Sequence, residues 1–192
     1  MASVIINGDT SGSITLAAPA VSGTNTATLP AATGTVMVSG NMPAFSAYQS
    51  AGQTLTTATF TLLQNNTKVF DTGTCFNNTG STVTLNGISV PAYSFAPNVA
   101  GYYYVTGTTN INASATGTTN ISLYKNGSQA YVLSNLINNS SQSLIVGGSV
   151  LIYLNGTSDY INVYASQTSG VNQPTYPAQA YAYFQAVMVR SA

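Results

Sequence analysis

Charged side chains are nearly absent from this chain: they make up 3% of its 192 residues, with three Lys or Arg balanced by three Asp and no Glu. Its polar surface must therefore come from Ser, Thr, Asn and Gly. Such a surface produces little long-range repulsion between copies, so close packing of identical subunits is expected. Three scattered cations cannot form the phosphate-neutralising patch that nucleic acids require, and no nucleic-acid partner is expected.

Histidine is missing and Cys75 is the only cysteine, which excludes an intrachain disulfide and a Cys/His zinc site. Without a base, Cys75 is expected to be a buried thiol. The acids Asp9, Asp71 and Asp159 lie in separate segments, so the sequence predicts no enzyme and no cofactor. One alternative stays open, in which three copies of one Asp meet at a symmetry axis and bind calcium.

Long apolar runs are also missing. Residues 1–9 have no basic region followed by a long apolar stretch, and nothing approaches membrane-spanning length. A protein made in the cytoplasm and without membrane insertion is expected.

Short alternating runs of β-branched and aromatic residues are abundant, as in Phe60–Leu62, Thr82–Leu85 and Tyr160–Tyr164. Asn-Gly pairs at 86–87, 126–127 and 155–156 separate or follow such runs and predict tight turns or hairpins. With no sustained helical spacing, the pattern predicts an all-β antiparallel sandwich or barrel.

Two segments are apolar on both faces, Val150–Leu154 and Tyr181–Val189. A strand of a two-sheet sandwich normally exposes one face to water, so these strands need a covering loop or a neighbouring subunit. We favour the subunit.

The composition changes near residue 40, because residues 1–40 contain no Tyr or Phe and the remainder carries every aromatic residue. The segments Leu16–Gly23 and Leu29–Val36 read as short extended pieces that need a partner to become ordered. Gly and Pro in Ser39–Pro43 predict a linker. We therefore expect an extended N-terminal β segment over 1–40 and a separate domain over 41–192.

The second part resembles the C1q/TNF-like domain family. The most specific similarity is Phe95–Tyr103, with its Phe, five-residue, Gly-x-Tyr spacing; Val105, Gly107 and Ala186 depart from the family pattern. The resemblance implies a ten-stranded antiparallel jelly roll that forms a homotrimer about an aromatic and aliphatic axis and recognises partners through exposed loops. The other segments that carry it are Pro43–Ala47, Lys68–Asp71, Ile121–Gly127, Leu151–Ile161 and Phe184.

These patterns give two sets of candidate residues. The core and trimer-interface candidates are Phe45, Phe70, Phe95, Gly101, Tyr103, Leu123, Tyr153, Tyr183 and Phe184. The receptor-loop candidates, taken from the polar segments 64–67, 77–81, 138–143 and 167–177, are Asn65, Asn78, Asn139, Gln173 and Tyr176. Gly101 is expected to allow a turn that a side chain would obstruct.

The first part resembles a segment common in tail-fibre and other virion proteins of phages, through Ser13–Leu16, Ala18–Ala20, Thr26–Pro30 and Gly34–Val36. This implies a phage particle as the location and another virion protein as the partner of residues 1–40.

The first hypothesis for the function is a fibre or spike whose domain binds a host surface glycan or protein, and some Tyr rings could stack on sugars. The second is a capsid decoration or head fibre with a purely structural role. The third, a secreted C1q-like lectin or cytokine, predicts a signal peptide or collagen-like stalk, and residues 1–40 show neither.

Overall fold

The computed structural model describes residues 3–17, 36–111, 116–139 and 142–192, together with residues 20, 21, 23, 24, 26 and 31. The chain divides into two compact units, 1–34 and 35–192. A short 3-10 turn, Ser39–Asn41, occupies most of the predicted linker. Of the predicted extended pieces, Leu16–Gly23 is described at residues 16, 17, 20, 21 and 23, whereas most of Leu29–Val36 lies outside the described residues.

The first unit contains a β-hairpin of strands β1 (Ser3–Asn7) and β2 (Ser13–Ala17). Its register places Val4 opposite Leu16 and Ile6 opposite Ile14, so the four aliphatic side chains share one face. Each of them is between 54% and 66% exposed. An isolated two-stranded hairpin is marginally stable in water, so this apolar face needs cover.

The second unit consists of antiparallel strands in two main sheets, as the sequence predicts. A five-stranded sheet has the order β12-β9-β15-β3-β6, and a four-stranded sheet has the order β11-β10-β13-β5. The five-stranded sheet consists of β3 (Ala44–Tyr48), β6 (Thr67–Thr72), β9 (Gly101–Ile111), β12 (Leu144–Leu154) and β15 (Tyr183–Ser191). The four-stranded sheet consists of β5 (Thr61–Leu62), β10 (Gly117–Lys125), β11 (Ser128–Asn138) and β13 (Ile161–Gln167).

Two short pairs flank these sheets, namely β4 (Thr54–Leu55) with β14 (Gln173–Pro174), and β7 (Val83–Leu85) with β8 (Ile88–Val90). The two main sheets thus hold nine described strands, against ten expected for the whole jelly roll. The segment around Phe95 pairs with β13 through an isolated bridge to Ile161 and forms no regular strand there. Pro91 and Pro97 flank it, and prolines lack the N–H that a ladder needs, which limits its pairing.

The core between the sheets is centred on Phe45. Its ring stacks on Phe76 with centroids 4.4 Å apart and on Phe95 at 4.6 Å, and it meets the edge of Phe184 at 4.9 Å. All four rings are buried. Because stacked and edge-to-face rings combine area burial with favourable quadrupole geometry, this cluster fixes the packing of strands that are distant in sequence.

Two of the three Asn-Gly pairs form the predicted two-residue hairpin turns. Asn86 and Gly87 have φ of 49° and 78°, and Asn126 and Gly127 have φ of 52° and 80°, as a type I′ turn requires. The third pair differs, because β12 and β13 belong to different sheets. There the Oδ1 of Asn155 accepts hydrogen bonds from the backbone N–H groups of residues 157, 158 and 159 and holds a wider turn.

Gly101 is needed for a reason other than the predicted turn. It is the first residue of β9 and pairs with Leu154 and Ser191. A Cβ at this position would collide with the carbonyl oxygen of Arg190 and the Cε of Met188. The expectation of a turn at Gly101 was therefore wrong; close approach of neighbouring strands imposes the glycine.

Candidate functional site

The outer face of the five-stranded sheet is unusually apolar. Adjacent strands align Val187, Tyr104 and Leu151 in one row, and Tyr102 beside Tyr153 in the next. These five side chains are between 40% and 51% exposed, and the rings of Tyr102 and Tyr153 lie 5.6 Å apart. Together with Phe70, they are called the apolar face below. Contiguous exposed apolar surface of this kind marks an interaction site.

A shallow groove of about 210 Å³ crosses the apolar face beside β6. Phe70, 49% exposed, lies on one side of it, and Tyr104 and Val187 also contribute to its lining. The side chains next to it in the same sheet, Thr106 and Gln185, are uncharged. The groove is suited to an apolar side chain of a second molecule.

The two strands predicted to be apolar on both faces behave as expected within the described chain. In β12, Ile152 and Leu154 are buried while Leu151 and Tyr153 are exposed. In β15, Phe184, Ala186 and Met188 face the core, and Val187 and Val189 remain 45% and 57% exposed. Their second face is left open to solvent in the single chain.

The predicted core and interface residues divide into two groups. Phe70 and Tyr153 belong to the apolar face, and Tyr183 is partly exposed in the same sheet, in register with Tyr48 and Thr108. The structure therefore does not bring all nine candidates together in one core. The six that are buried between the sheets are Phe45, Phe95, Gly101, Tyr103, Leu123 and Phe184.

The four predicted contact loops lie at one end of the sandwich, called the loop end. Gln53, which the sequence did not single out, links two of them: its backbone N–H donates to Thr175 Oγ1 at 3.0 Å, and its Oε1 accepts from the N–H of Gln64 at 2.7 Å. Asn78 Nδ2 donates to the carbonyl of Asn66 at 2.9 Å and adds the loop at 77–81. Asn138 and Gln173 line one small cleft, which places the last two loops side by side.

Two receptor-loop candidates were wrong, because their side chains are buried. Asn65 is 1% exposed, and its backbone N–H donates to the carbonyl of Leu63. Gln173 is 3% exposed, pairs with Leu55 in the short β14–β4 ladder and donates to Ser169 Oγ. Because both side chains are buried, neither amide can contact a second molecule. Polar composition alone could not separate such supporting amides from exposed ones.

The other three loop candidates are accessible to different degrees. Asn78 is partly exposed and its amide is engaged with Asn66, whereas Asn139 and Tyr176 are exposed. The ring of Tyr176 packs edge-on against Tyr181 with centroids 5.8 Å apart. Residues 140 and 141 of the third loop lie outside the described residues.

Both lysines form ion pairs within the domain. Lys68 Nζ lies 2.7 Å from Asp71 Oδ2, and Lys125 Nζ lies 2.7 Å from Asp159 Oδ2. The two carboxylates also accept hydrogen bonds from backbone N–H groups of nearby turns. Within the described ranges no three acidic or Cys side chains cluster as metal ligands. A calcium ion between subunits stays a prediction.

Burial and hydrogen bonding set the pKa directions at three groups. At Asp159 burial alone would raise the pKa, but hydrogen bonds from Lys125, Asn126 and the Asn155 N–H outweigh it and lower the pKa. Burial raises the pKa of the Cys75 thiol and of the Tyr103 phenol. Tyr103 donates to the carbonyl of Val99 at 2.7 Å. A protonated, enclosed thiol is unsuited to nucleophilic work.

Neither a protein-family model nor a curated protein matches the sequence. Among solved structures, the chain is similar to murine APRIL at pH 5.0, with a TM-score of 0.51 and 12% identity over 77% of this chain and 99% of that one. It is also similar to Eiger TNF from S. frugiperda, with a TM-score of 0.50 and 10% identity over 79% of this chain and 93% of that one. At these identities the likeness shows the fold: the second unit is a TNF-like antiparallel jelly roll. In the described part of the chain, no helix has the length and apolarity to cross a membrane.

Proposed function

We propose that the protein is a homotrimeric structural protein of a bacteriophage particle, a fibre or spike. Residues 1–40 attach it to another virion protein, and the jelly roll is exposed and binds the host surface. It works by shape and surface, without catalysis and without a cofactor.

The apolar face carries the trimer part of the proposal. Burying a half-exposed Leu, Val or Tyr removes apolar area from water and stabilises association by roughly 1 kcal/mol per side chain. Six such side chains in each of three copies supply a substantial driving force once they face one another. With 3% charged residues, little electrostatic repulsion opposes the contact.

The hairpin of the first unit supports the attachment part. Its aliphatic face of Val4, Ile6, Ile14 and Leu16 is exposed, and the segment resembles virion proteins of phages. Each strand of the hairpin has one unpaired edge, so strands of another chain can extend the sheet and cover its apolar face. A virion protein that supplies them would hold the trimer on the particle.

The loop end supports host contact. Gln53, Asn77 and Gln167 fix its loops from inside, since each makes two or more hydrogen bonds to loop backbone or side chains. Rigid loops lose little conformational entropy on binding. Asn139 and Tyr176 then present amide and phenol groups outward.

Sedimentation equilibrium of the full chain at several concentrations tests the trimer, and a well-folded monomer across the range would refute it. Labelling the C-terminus on intact particles and imaging them tests the location. A label at the tail supports the fibre or spike. A label on the head shell supports a capsid decoration or head fibre with a stabilising role, and an unlabelled particle contradicts both.

A further inference from the structure

Three aromatic rings form a ledge on the outer face of the four-stranded sheet. The rings of Tyr124 and Tyr164 lie 4.1 Å apart at 33°, and Phe60 lies 6.0 Å from Tyr124. Phe60 is 41% exposed, and both tyrosines are partly exposed. Phe60, Tyr124 and Tyr164 are called the tyrosine ledge. No core role accounts for it, because the inward positions of the same strands are Leu123, Val163 and Ala165.

A chain of hydrogen bonds runs along the sheet beside the ledge. Gln129 Nε2 donates to Ser122 Oγ at 2.8 Å, and Ser122 Oγ donates to Asn120 Oδ1 at 2.6 Å. Ser122 is fully buried, so its hydroxyl fixes the two amides in place. Within the described chain, Asn120 Nδ2 and Gln129 Oε1 have no hydrogen-bond partner. The series of hydrogen bonds therefore ends in a donor, Asn120 Nδ2, on one side and an acceptor, Gln129 Oε1, on the other.

The tyrosine hydroxyls add two further groups. Neither Tyr124 nor Tyr164 makes a hydrogen bond through its hydroxyl to another described residue. Burial raises the pKa of both phenols, so they stay neutral and able to donate at ordinary pH. The ledge combines ring faces with donors and acceptors in a small area.

Charge decides which ligand fits. Lys68 and Lys125 are each paired with an aspartate, and no charged residue stands among the outward positions of β10 and β13 beside the ledge. An anionic or cationic ligand would find no counter-charge there. A sugar has an apolar C–H face that can lie on an aromatic ring, and hydroxyls that both donate and accept.

We propose that the tyrosine ledge, with Asn120 and Gln129, binds an uncharged sugar residue of a surface glycan. The sugar ring stacks on Tyr124 and Tyr164, and its hydroxyls bond to the amide groups. The inference rests on the proposed host-binding role and gives it a ligand class and a site away from the loop end.

The test uses the full-length protein and a fixed set of probes: the neutral polysaccharides dextran, mannan and galactan, and the anionic polysaccharide alginate. Affinity electrophoresis measures retardation. We expect retardation by at least one neutral polymer, none by alginate, and no loss in 1 M salt, since screening weakens only charge interactions. Binding that salt abolishes, or no retardation by any neutral polymer, would overturn the proposal.

Variants locate the site. Tyr124→Ala and Tyr164→Ala should each lower the affinity about tenfold, as losses of base stacking on aromatic side chains do. Tyr124→Phe keeps the ring and should lower it about threefold. Tyr131→Ala is the matched control: it lies in the same sheet opposite the inward-facing Leu123, and it should bind normally. Unchanged binding by the two Ala variants, or binding lost in Tyr176→Ala alone, would refute the ledge.

Sedimentation of the same samples separates this proposal from the broader one. A trimer that fails to bind overturns the tyrosine ledge and leaves the structural role standing. A protein that is monomeric and still binds sugar contradicts the trimeric fibre and supports the ledge. Circular dichroism of each variant confirms that a lost retardation reflects the site and not unfolding.

Discussion

The outer face of the five-stranded sheet has Val187, Tyr104 and Leu151 side by side in one row, whereas the matching row of the four-stranded sheet has Ser166, Asn120 and Asn135. Both faces belong to one sandwich and share one core. Charge is sparse on both, although the exposed Arg190 is in register with Tyr102 on the apolar face. The two rows differ in how many of their exposed groups can hydrogen-bond, although Val132 and Ile137 are also exposed on the four-stranded sheet.

An apolar face is stabilised most by contact with another apolar surface, because both surfaces are then removed from water. A face of amides, hydroxyls and a few rings gains little from burial against apolar groups, since each unpaired polar atom then costs about 1–3 kcal/mol. It is better matched by a ligand with its own donors and acceptors. The difference therefore supports the proposed self-association through one face and the proposed ligand recognition through the other.

The largest effect is expected from charges on the apolar face. Leu151→Lys with Val187→Lys would bury two unpaired ammonium groups in each subunit interface, and an uncompensated buried charge costs about 3–5 kcal/mol. The trimer should dissociate to monomer in sedimentation velocity runs at micromolar concentration. The matched control, Thr118→Lys with Asn135→Lys, adds the same charge to the polar face and should remain trimeric. A trimer that survives the first pair would remove the contrast between the faces.

The next effect concerns the shared core. Phe45→Ala removes the ring that contacts Phe76, Phe95 and Phe184, and such deletions cost about 3–5 kcal/mol. In urea unfolding, this loss should be similar at all protein concentrations. Tyr153→Ala, at the apolar face, should instead destabilise more at lower concentration, because it weakens assembly. Equal concentration dependence of the two variants would mean that Tyr153 is not at an interface.

An intermediate effect is expected at the border of the apolar face, where Lys125 bonds Asp159 and the carbonyl of Tyr153. Because folding lowers the pKa of Asp159, its ionised carboxylate stabilises the folded state at pH values above the unfolded pKa, near 3.8. This stabilisation is lost as the pH falls through the lower pKa of the folded state. Asp159→Asn should cost about 2 kcal/mol at pH 7. Thermal unfolding from pH 7 to pH 2 should show the gap between variant and parent closing below about pH 4. A gap that persists at pH 2 would exclude the ion pair as its source.

Sequence patterns predicted the parts of this molecule that depend on local chemistry. The Asn126-Gly127 turn follows from positive φ at both positions, and β12 and β15 follow from runs that are apolar on both faces. The buried amides Asn65 and Gln173 could not be recognised, because burial of a polar side chain depends on partners supplied by distant segments. Phe76 and Gln53 were missed for the same reason: their roles come from contacts across the fold.

The tyrosine ledge could not be predicted from the sequence alone. Tyr124 and Tyr164 are forty residues apart, and only the antiparallel register of β10 and β13 sets them on neighbouring strands. Phe60 directly precedes β5, whose alternating run the sequence marked, but the sequence could not show that β5 pairs with β13 beside Tyr164. The sequence suggested sugar stacking by some of the 13 tyrosines, and pairing of the strands was needed to select which.

The smallest effect gives the finest test of whether the apolar face is covered. Thr106 Oγ1 and Ser149 Oγ form a hydrogen bond of 2.8 Å within the five-stranded sheet, in the row next to Tyr104 and Leu151. If a second subunit covers this row, Thr106→Val leaves the Ser149 hydroxyl buried and unpaired and should cost about 1 kcal/mol, whereas Thr106→Val with Ser149→Ala removes both groups and should cost little. If water covers it, the single change is close to neutral. Urea unfolding of both variants, with Thr118→Val on the polar face as control, measures the difference. If Thr106→Val is as stable as Thr106→Val with Ser149→Ala, water covers this row. The trimer would then have to form through another surface.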